Sequence, residues 1–290
     1  MPPAGAPDLI SVVIASYNRP DALDAVLRGL SRQTDRAFEV IVADDGSPPS
    51  TAAVVTDWAE RIGASLGHVW QEHREFRAPE ISNRAVLASR GDYLVFLDGD
   101  CIPRPNFLAA HRDLAEPGWF VFGNRILMSP KLTESILRDN LEPENWSFAE
   151  FVRQRRRRLI NRLLPVVSLP LGPLRKLNTG EWRSVRTCNL GMWRSDFEHI
   201  NGQETTYRGW SPHDSDMAVR LIRAGRRRKD GRFSTGVLHL WHPDADRARL
   251  AENQAIFRET LASSRIRAVH GLDEMRNNTA AGESQSMAAL

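Results

Sequence analysis

Short apolar segments that break off into polar residues recur along the first hundred residues of the chain, with helical patterns between them. The apolar segments are rich in β-branched residues and predict buried strands, at residues 10–15, 38–43, 66–71 and 93–97. Apolar side chains at helical spacing predict the intervening helices, which begin at Asp21 and near residues 51 and 79. Strands that alternate with helices predict a doubly wound α/β domain with a mostly parallel sheet and right-handed crossovers.

Polar clusters follow three of these predicted strands, at residues 16–19, 44–45 and 98–100. Ligands of doubly wound sheets bind beyond the carboxyl ends of the strands, so the clusters predict a polar site at one edge of the sheet. Asp98 and Asp100 flank a glycine there, and carboxylates are the hard oxygen ligands that Mg²⁺ or Mn²⁺ prefers. An isolated DGD sequence is just as typical of a solvated turn. Its position after a buried strand, together with the second acidic loop, favours a metal site that binds a pyrophosphate.

The second half of the chain is less regular. Further strands and helices are predicted there, the strands at residues 119–127, 185–193 and 237–241 and the helices at 214–224 and 248–269. From residue 277 onward the serine, alanine and glutamine content predicts a disordered tail.

Composition narrows the class of protein. Apolar residues make up 41% of the 290 residues and charged residues 26%, as in ordinary soluble domains, and a net charge of +3 gives no field for nucleic acid. Cys101 and Cys188 are too few for a disulfide framework and indicate a reducing compartment. Residues 1–10 lack the features of a signal peptide, and no segment approaches the ~18 apolar residues of a spanning helix. We expect a cytoplasmic protein, with a peripheral position on the inner face of the cell membrane left open.

Three blocks of sequence resemble a known enzyme family. They read SVVIASYNRPDALDAVLRGLSRQT with FEVIVADDGS, then ISNRAVLASRGDYLVFLDGDCIPRPNFL, then NLGMWRSDFEHINGQETTYRGWSPHDSDMAVRLIRAG. In this order they resemble family 2 glycosyltransferases of the GT-A fold, with a DxD metal motif and a galactosyltransferase-type C-terminal block, as in bacterial polysaccharide and chondroitin-synthase-like transferases. The resemblance implies an inverting, Mn²⁺- or Mg²⁺-dependent transfer of a hexose or N-acetylhexosamine. The donor would be a UDP-sugar and the acceptor a glycan or lipid-linked glycan, in cell-surface polysaccharide synthesis.

The resemblance also implies a division of the chain. Residues 1–127 would form the nucleotide-sugar-binding half of the GT-A domain, which ends after the DxD motif. Residues 185–276 would form the acceptor-binding half that carries the catalytic base. Between them, residues 128–184 would be a basic and apolar insertion, and residues 277–290 would be the disordered tail.

The donor site of the family can be carried over residue by residue. Asp100 would ligate the metal directly, and Asp98 would face the ribose or the sugar. Asp45, with Asp44 beside it, would accept a hydrogen bond from the uracil N–H. The other nucleotide contacts that the motifs imply are Tyr17, Asn18, Arg19, Arg77 and Asn83.

A catalytic base is expected in the third block, because an inverting transfer needs a carboxylate that accepts the proton of the attacking hydroxyl. The resemblance assigns this role to Asp214, which could also cap the helix that follows it. Asp216 is the second candidate, and we expect it on the acceptor side of the site. Trp210, which either stacks on an acceptor sugar or belongs to the core, and His213, which replaces the family's usual acidic residue, are expected there too.

A third metal ligand is expected from the sequence VLHLWHP near the end of the domain. Imidazole suits Mn²⁺ as well as a carboxylate does. His239 and His242 would lie on opposite faces of a strand, so only one of them should reach the metal. Related enzymes carry a histidine after a final strand, and His239 fits this position slightly better. A lone histidine on a strand is more often structural, so the DxD motif is what supports this assignment.

Basic residues are concentrated between residues 131 and 181, where they alternate with leucine, valine and proline. They are Arg153, Arg155, Arg156, Arg157, Arg158, Arg162, Arg175 and Lys176. A solvated charged face is one interpretation, whereas nucleic-acid binding would need aromatic or groove-reading residues that this segment lacks. Basic and apolar residues side by side are also typical of segments that lie on anionic lipid. Such a segment would hold the enzyme near a lipid-linked acceptor.

Two other functions are consistent with parts of the sequence. A catalytically inactive, glycosyltransferase-like glycan-binding module would not need its acidic residues, yet Asp98, Asp100 and Asp214 are all present. A sugar-phosphate nucleotidylyltransferase would carry a glycine-rich basic loop after the first strand, where this chain has no glycine at residues 16–20. Both are therefore less favoured than a transferase.

Overall fold

The computed structural model describes residues 5–244 and 246–277, and ten strands and nine α-helices lie in that part of the chain. The main sheet contains β1 (Ile10–Ser16), β2 (Phe38–Asp44), β3 (Ser65–Trp70), β4 (Tyr93–Asp98), β6 (Trp119–Phe122), β8 (Asn189–Trp193) and β9 (Arg227–Asp230). A small sheet contains β5 (Cys101–Pro103), β7 (Arg125–Leu127) and β10 (Val237–His239). The helices are α1 (Pro20–Ser31), α2 (Pro49–Ala59), α3 (Ala78–Ala88), α4 (Phe107–Leu114), α5 (Pro130–Arg138), α6 (Phe148–Arg156), α7 (Arg194–His199), α8 (His213–Arg223) and α9 (Leu250–Ala262). The tail predicted beyond residue 277 lies outside the described residues.

The main sheet has the strand order β3-β2-β1-β4-β8-β6-β9. Strand β8 runs antiparallel to both of its neighbours, whereas the other paired strands of this sheet are parallel. The predicted α/β fold with a mostly parallel sheet is therefore confirmed.

Strand β1 lies at the centre of the parallel half and is buried on both faces. Its side chains alternate between two hydrophobic clusters: Val12 and Ile14 pack in one and Val13 in the other. A strand covered on both faces reads as a continuous apolar run, which is why this segment was recognisable in the sequence. The packing fixes the carboxyl end of β1 beside that of β4, where polar residues begin.

The predicted strand over residues 119–127 is wrong in one respect, since the chain forms two strands there that belong to different sheets. The break falls at Gly123, where a Cβ atom would come within 2.2 Å of Nδ2 of Asn189. The Gly123 N–H donates to the carbonyl of Asn189, and the Asn189 amide donates to the carbonyl of Asn124. The Asn189 side chain thus occupies the space that any side chain at position 123 would need, so only glycine fits there. The strand predicted from residue 185 likewise begins only at Asn189, and the helix predicted to residue 269 ends at Ala262.

The small sheet lies where β4 ends. Strand β5 starts directly after Asp100 and pairs antiparallel with β10, with His239 opposite Cys101. The carbonyl of Asp100 also accepts a hydrogen bond from the Leu240 N–H at 2.9 Å. The sheet therefore holds the Asp98–Asp100 turn against the histidine-bearing segment.

The basic segment is short-helical and irregular, with 3₁₀ turns between α6 and β8. Most arginines of this segment are exposed, but Arg175 is buried. Its guanidinium donates to the carbonyls of Asp230 and Arg232 and so holds the segment on β9. Among the described residues, no helix combines the length and apolar character that a membrane crossing requires.

Candidate active site

A cleft of about 1170 Å³ opens at the carboxyl ends of β1, β2 and β4. Most of the predicted site residues line it. They are Tyr17, Asn18, Arg19, Asp45, Asp98, Asp100, Trp210, His213, Asp214, His239 and His242. The polar edge predicted from the sequence is therefore the wall of one large cavity.

Asp100 and two histidines form a compact cluster in this cleft. Nε2 of His242 lies 3.3 Å from one carboxylate oxygen of Asp100, and Nε2 of His239 lies 3.7 Å from the other. One ligand atom from each of Asp100, His239 and His242 lies within 4.8 Å of the other two. The buried Oδ1 of Asp100 has no hydrogen-bond partner among the described residues. A divalent cation fits this donor set, since it would satisfy the oxygen and both imidazoles.

The reason for expecting only one histidine at the metal does not hold, since Nε2 atoms of both His239 and His242 lie near the Asp100 carboxylate. Strand β10 ends at His239, and residues 240–244 belong to no strand, so the argument from strand alternation does not apply to His242. The two imidazole rings lie 5.2 Å apart, centre to centre. Burial lowers the pKa of His239 despite the opposing effect of Asp100, and this keeps the ring neutral with a lone pair available for a metal.

Asp98 lies beside this cluster in an environment that disfavours its charge. Burial raises the pKa of the Asp98 carboxyl well above its usual range, and Cys188, Asp100 and Asp214 raise it further, whereas Arg125 lowers it. Acidic groups held together in this way raise one another's pKa, and a bound cation would lower it again. Asp98 therefore supports the metal interpretation by its position rather than as a ligand of the cluster.

Asp214 is in the first turn of α8 and faces the cleft. Its Oδ1 accepts hydrogen bonds from the hydroxyl of Thr187 at 2.7 Å and from the Thr187 N–H at 3.3 Å, and Nε2 of His213 lies 3.1 Å away. No hydrogen bond from a described residue reaches Oδ2. Pro212, not Asp214, occupies the capping position of α8, so the alternative role of a cap does not apply. A carboxylate fixed through one oxygen has the other available to accept a proton.

The loops after β1 and β2 line another part of the cleft. The ring of Tyr17 stacks on His73 with centroids 4.5 Å apart. Asp45 accepts hydrogen bonds of 2.6 Å from the Arg77 N–H and from the Gln71 amide. Burial raises the pKa of Asp45, although these bonds lower it in part. Asn18 adopts a positive φ of 51°, which asparagine tolerates better than most residues.

Four predicted site residues lie outside the cleft wall. Asp44 is buried and accepts from the Ser47 N–H at 2.8 Å, with Nε2 of His68 at 3.0 Å, so it shapes the loop behind the site. The side chain of Arg77 pairs with Glu80 at 3.0 Å, and only its main-chain N–H supports the site through Asp45. Neither side chain is available to a nucleotide in this arrangement.

The other two are Asn83 and Asp216, both fully buried. The amide of Asn83 makes a reciprocal pair of 2.9 Å hydrogen bonds with the main chain of Gln203, which itself lines the cleft. Asp216 forms an ion pair with Arg220 at 2.8 Å and accepts the hydroxyl of Thr260 at 2.6 Å. The acceptor-side role expected for Asp216 is therefore wrong; its carboxylate is part of the core.

Two half-exposed tryptophans, Trp210 and Trp241, also line the cleft. Trp210 and Trp241 are each 43% exposed, so neither belongs to the core. The guanidinium of Arg247 lies 5.1 Å from the Trp210 ring centre, and His213 is held by the Ser211 hydroxyl at 2.9 Å. Flat, half-exposed rings of this kind can stack on a sugar.

Sequence reasoning missed several residues that line or support the cleft: His73, Phe76, Arg125, Thr187, Gln203 and Trp241. Trp241 had a usable signal, since it lies between the two histidines. Thr187 had none, because its contact with Asp214 joins residues 27 positions apart.

Two family models match the chain in adjacent blocks. The model described as glycosyl transferase family 2 matches residues 11–175, and that described as the N-terminal domain of galactosyltransferase matches residues 178–241. The first includes the Asp98–Asp100 turn, and the second includes Asp214 and His239.

Curated relatives support the same assignment. Validoxylamine A glucosyltransferase of Streptomyces hygroscopicus subsp. jinggangensis is 29% identical over 243 residues, which cover 79% of this chain and 55% of that protein. Chondroitin synthase of Escherichia coli is 24% identical over 241 residues, which cover 75% of this chain and 33% of that protein. The chain thus spans about half, or less, of the length of these relatives.

Solved structures share the fold at low identity. The mannosyltransferase PcManGT from Pyrobaculum calidifontis, in complex with GDP-Man and Mn²⁺, has a TM-score of 0.60 at 19% identity, covering 91% of this chain and 67% of that one. S. aureus TarS 1-349 in complex with UDP has a TM-score of 0.61 at 14% identity, covering 91% and 68%. The fold is the GT-A fold that the motifs predict. The family 2 model matches more than half of the 290 residues of this chain, and the chain therefore belongs to glycosyl transferase family 2.

Proposed function

We propose that this chain is a metal-dependent, inverting glycosyltransferase that moves a sugar from a nucleotide-sugar donor to an acceptor hydroxyl. The observation that carries the proposal is that one cleft contains both the Asp100–His239–His242 cluster and the Asp214 carboxylate. Relatives named as glucosyltransferase and chondroitin synthase support it. Structural neighbours bound to GDP-Man with Mn²⁺ and to UDP support a nucleotide-sugar donor.

The cation would be held by Asp100, His239 and His242. Mixed carboxylate and imidazole ligands favour Mn²⁺ over Mg²⁺, which takes oxygen ligands and water. When bound, the cation supplies positive charge that makes the nucleoside diphosphate a better leaving group.

The nucleotide is proposed to be UDP. The carboxylate of Asp45, held in place by Gln71 and the Arg77 N–H, can accept a hydrogen bond from the imino N–H of uracil. Tyr17, backed by His73, offers a flat ring beside it. Asp98 is proposed to face the ribose or the transferred sugar.

Asp214 is proposed as the general base. Its Oδ2 accepts the proton of the acceptor hydroxyl as that oxygen attacks the anomeric carbon and the bond to the diphosphate breaks. Thr187 fixes the orientation of the carboxylate through Oδ1. A single displacement from the face opposite the leaving group inverts the anomeric centre.

The acceptor is proposed to be a glycan or lipid-linked glycan, and the sugar a hexose or N-acetylhexosamine, in cell-surface polysaccharide synthesis. Trp210 and Trp241 offer two half-exposed rings in the cleft that could stack on an acceptor sugar, and His213 lies next to the proposed base. A chondroitin synthase among the relatives is consistent with a polysaccharide product.

We further propose that the basic segment lies on an anionic membrane from the cytoplasmic side. Five exposed arginines there make no ion pair or side-chain hydrogen bond with any described residue: Arg155, Arg156, Arg157, Arg158 and Arg162. In the same segment Phe148, Leu164, Leu174 and Leu177 are 55–61% exposed. Unpaired guanidinium groups attract anionic lipid, and exposed apolar side chains insert at the interface.

The test is a screen of nucleotide sugars with Mn²⁺, in which release of the nucleoside diphosphate is measured with and without candidate glycan acceptors. We expect release from a UDP-sugar that stops when the metal is chelated and is lost in Asp100→Asn. If the wild-type chain binds glycans but neither hydrolyses nor transfers from any nucleotide sugar, the enzyme proposal is wrong. The glycan-binding module would then be the better description.

A further inference from the structure

The two cysteines of the chain, far apart in sequence, meet directly beneath the cleft. Cys101 is the first residue of β5, and Cys188 immediately precedes β8. Both are buried and free. Strand β8 pairs with β4 so that Asn189 is opposite Leu97, and continuing this register brings Cys188 beside Asp98. The topology thus brings together the carboxylate at the end of β4, the thiol at the start of β5 and the thiol just before β8.

The ligand atoms of these three residues are close enough to share one ion. A sulfur of each cysteine and a carboxylate oxygen of Asp98 all lie within 4.8 Å of one another. These residues are distinct from the ligands of the Asp100 cluster, which uses one oxygen and two nitrogens. The two donor sets therefore differ in chemical softness although they are neighbours.

Softness decides which cation each donor set prefers. Two sulfurs and a carboxylate suit Zn²⁺ or Cd²⁺ in tetrahedral coordination, with one position left for water or a fourth ligand. Mg²⁺ prefers oxygen donors, Mn²⁺ takes oxygen and imidazole nitrogen, and neither favours sulfur. The guanidinium of Arg125, which donates to Sγ of Cys188 at 3.4 Å, is an outer partner of the kind that orients metal-binding sulfur.

We propose that Asp98, Cys101 and Cys188 form a second cation site, specific for thiophilic divalent ions such as Zn²⁺ and Cd²⁺. Binding forms two metal–sulfur bonds and one metal–oxygen bond, and the two thiol protons, together with the carboxyl proton where Asp98 is protonated, leave to solvent. The ion enters through the cleft, since Asp98 is the member of the site that lines it. Because Asp98 also faces the donor cleft, an occupied site draws that carboxylate away from the donor.

The proposal is tested by Cd²⁺ titration of the metal-free, reduced, full-length chain in excess Mg²⁺. The readout is the ultraviolet charge-transfer band of cadmium–thiolate bonds, which does not depend on glycosyl transfer. We expect a band that saturates at one Cd²⁺ per chain and is bleached by Zn²⁺. It should be lost in both Cys101→Ser and Cys188→Ser. Asp98→Asn should weaken Cd²⁺ binding by about tenfold or more, since even outer-shell partners of metal sites contribute that much.

The matched control is His242→Ala, which disrupts the Asp100 cluster and should leave the Cd²⁺ band unchanged. A second measurement needs no variant: Cd²⁺ should raise the unfolding temperature of the wild-type chain, because it binds the folded state. The proposal is overturned if the wild-type chain shows no thiolate band. It is equally overturned if the band persists in folded Cys188→Ser, or if His242→Ala abolishes it. None of these outcomes bears on whether the chain transfers sugars.

Discussion

The hydroxyl of Thr187 donates to Oδ1 of Asp214 at 2.7 Å, and the Thr187 N–H reaches the same oxygen at 3.3 Å. Both contacts use one carboxylate oxygen, and the other accepts no hydrogen bond from a described residue. Asp214→Asn keeps the shape of the side chain but removes its ability to accept a proton. We expect the rate of transfer to fall by about 10²- to 10⁴-fold, the contribution typical of a general base. Donor affinity, measured by calorimetry, should stay within a few-fold of wild type.

Thr187→Val is the graded control for this prediction. It removes the hydroxyl donor but leaves the base, so we expect a smaller loss of rate than in Asp214→Asn, with unchanged donor affinity. An Asp214→Asn variant that transfers at the wild-type rate would rule out this residue as the base.

The metal cluster leads to a second prediction. His239→Ala and His242→Ala each remove one nitrogen ligand near Asp100, and we expect Mn²⁺ affinity to fall in both. Affinity is measured from the paramagnetic resonance signal of free Mn²⁺. His270→Ala is the matched control, because that exposed imidazole pairs with Glu274 away from the cleft. If only one of the cleft histidines affects Mn²⁺ affinity, the cluster of three ligands is wrong.

The sequence was sufficient to predict the parallel half of the sheet because three of its four strands, β1, β2 and β4, are buried along nearly their whole length. It was also sufficient for the Asp98–Asp100 turn, which follows such a strand. It could not show that β10 ends at His239, because the end of a strand depends on its pairing with β5 and β7. The same holds for Asp216, whose role depends on a contact with Thr260 that lies 44 residues away. Long-range polar contacts of this kind have no local sequence signal.

Asp216 provides a third prediction, about stability rather than catalysis. Asp216→Ala leaves the guanidinium of Arg220 buried without its carboxylate. Removal of one partner from a buried ion pair typically costs about 3–5 kcal/mol, and we expect a loss of this order in the free energy of unfolding, measured in urea. The double variant Asp216→Leu with Arg220→Met should recover part of the loss, since an apolar pair leaves no buried charge. A loss of activity with no loss of stability would instead restore Asp216 to the acceptor site.

His111 gives a pH-dependent prediction. Its ring is buried against Phe107, and its Nε2 forms a hydrogen bond with the Asn189 side-chain oxygen. Burial lowers the pKa of His111 to about 4 from 6.5. Below pH 6.5 the unfolded chain takes up a proton that the folded chain refuses until about pH 4, so stability falls as the pH falls through this window. Between pH 7 and pH 5 the wild-type chain should lose about 2 kcal/mol more than His111→Gln, given 1.36 kcal/mol per pKa unit. Equal pH dependence of the two proteins in urea unfolding would contradict the prediction.

The last prediction concerns the unpaired arginines at the C-terminal end of α6 and directly after it. Replacement of Arg155, Arg156, Arg157 and Arg158 by glutamine removes four positive charges that form no ion pair with a described carboxylate. Each basic residue near an anionic membrane surface contributes about 1 kcal/mol, so sedimentation with phosphatidylserine vesicles at low salt should nearly disappear. Arg61→Gln with Arg138→Gln is the control, because these exposed arginines already pair with Asp57 and Asp139 and their loss should change little.

Screening of charge weakens such binding, so high salt should release part of the wild-type chain from the vesicles. The remainder would be held by apolar side chains such as Leu164 and Leu174. If the wild-type chain does not sediment with anionic vesicles at low salt, the segment is a solvated face and the membrane proposal fails, whatever the outcome for sugar transfer.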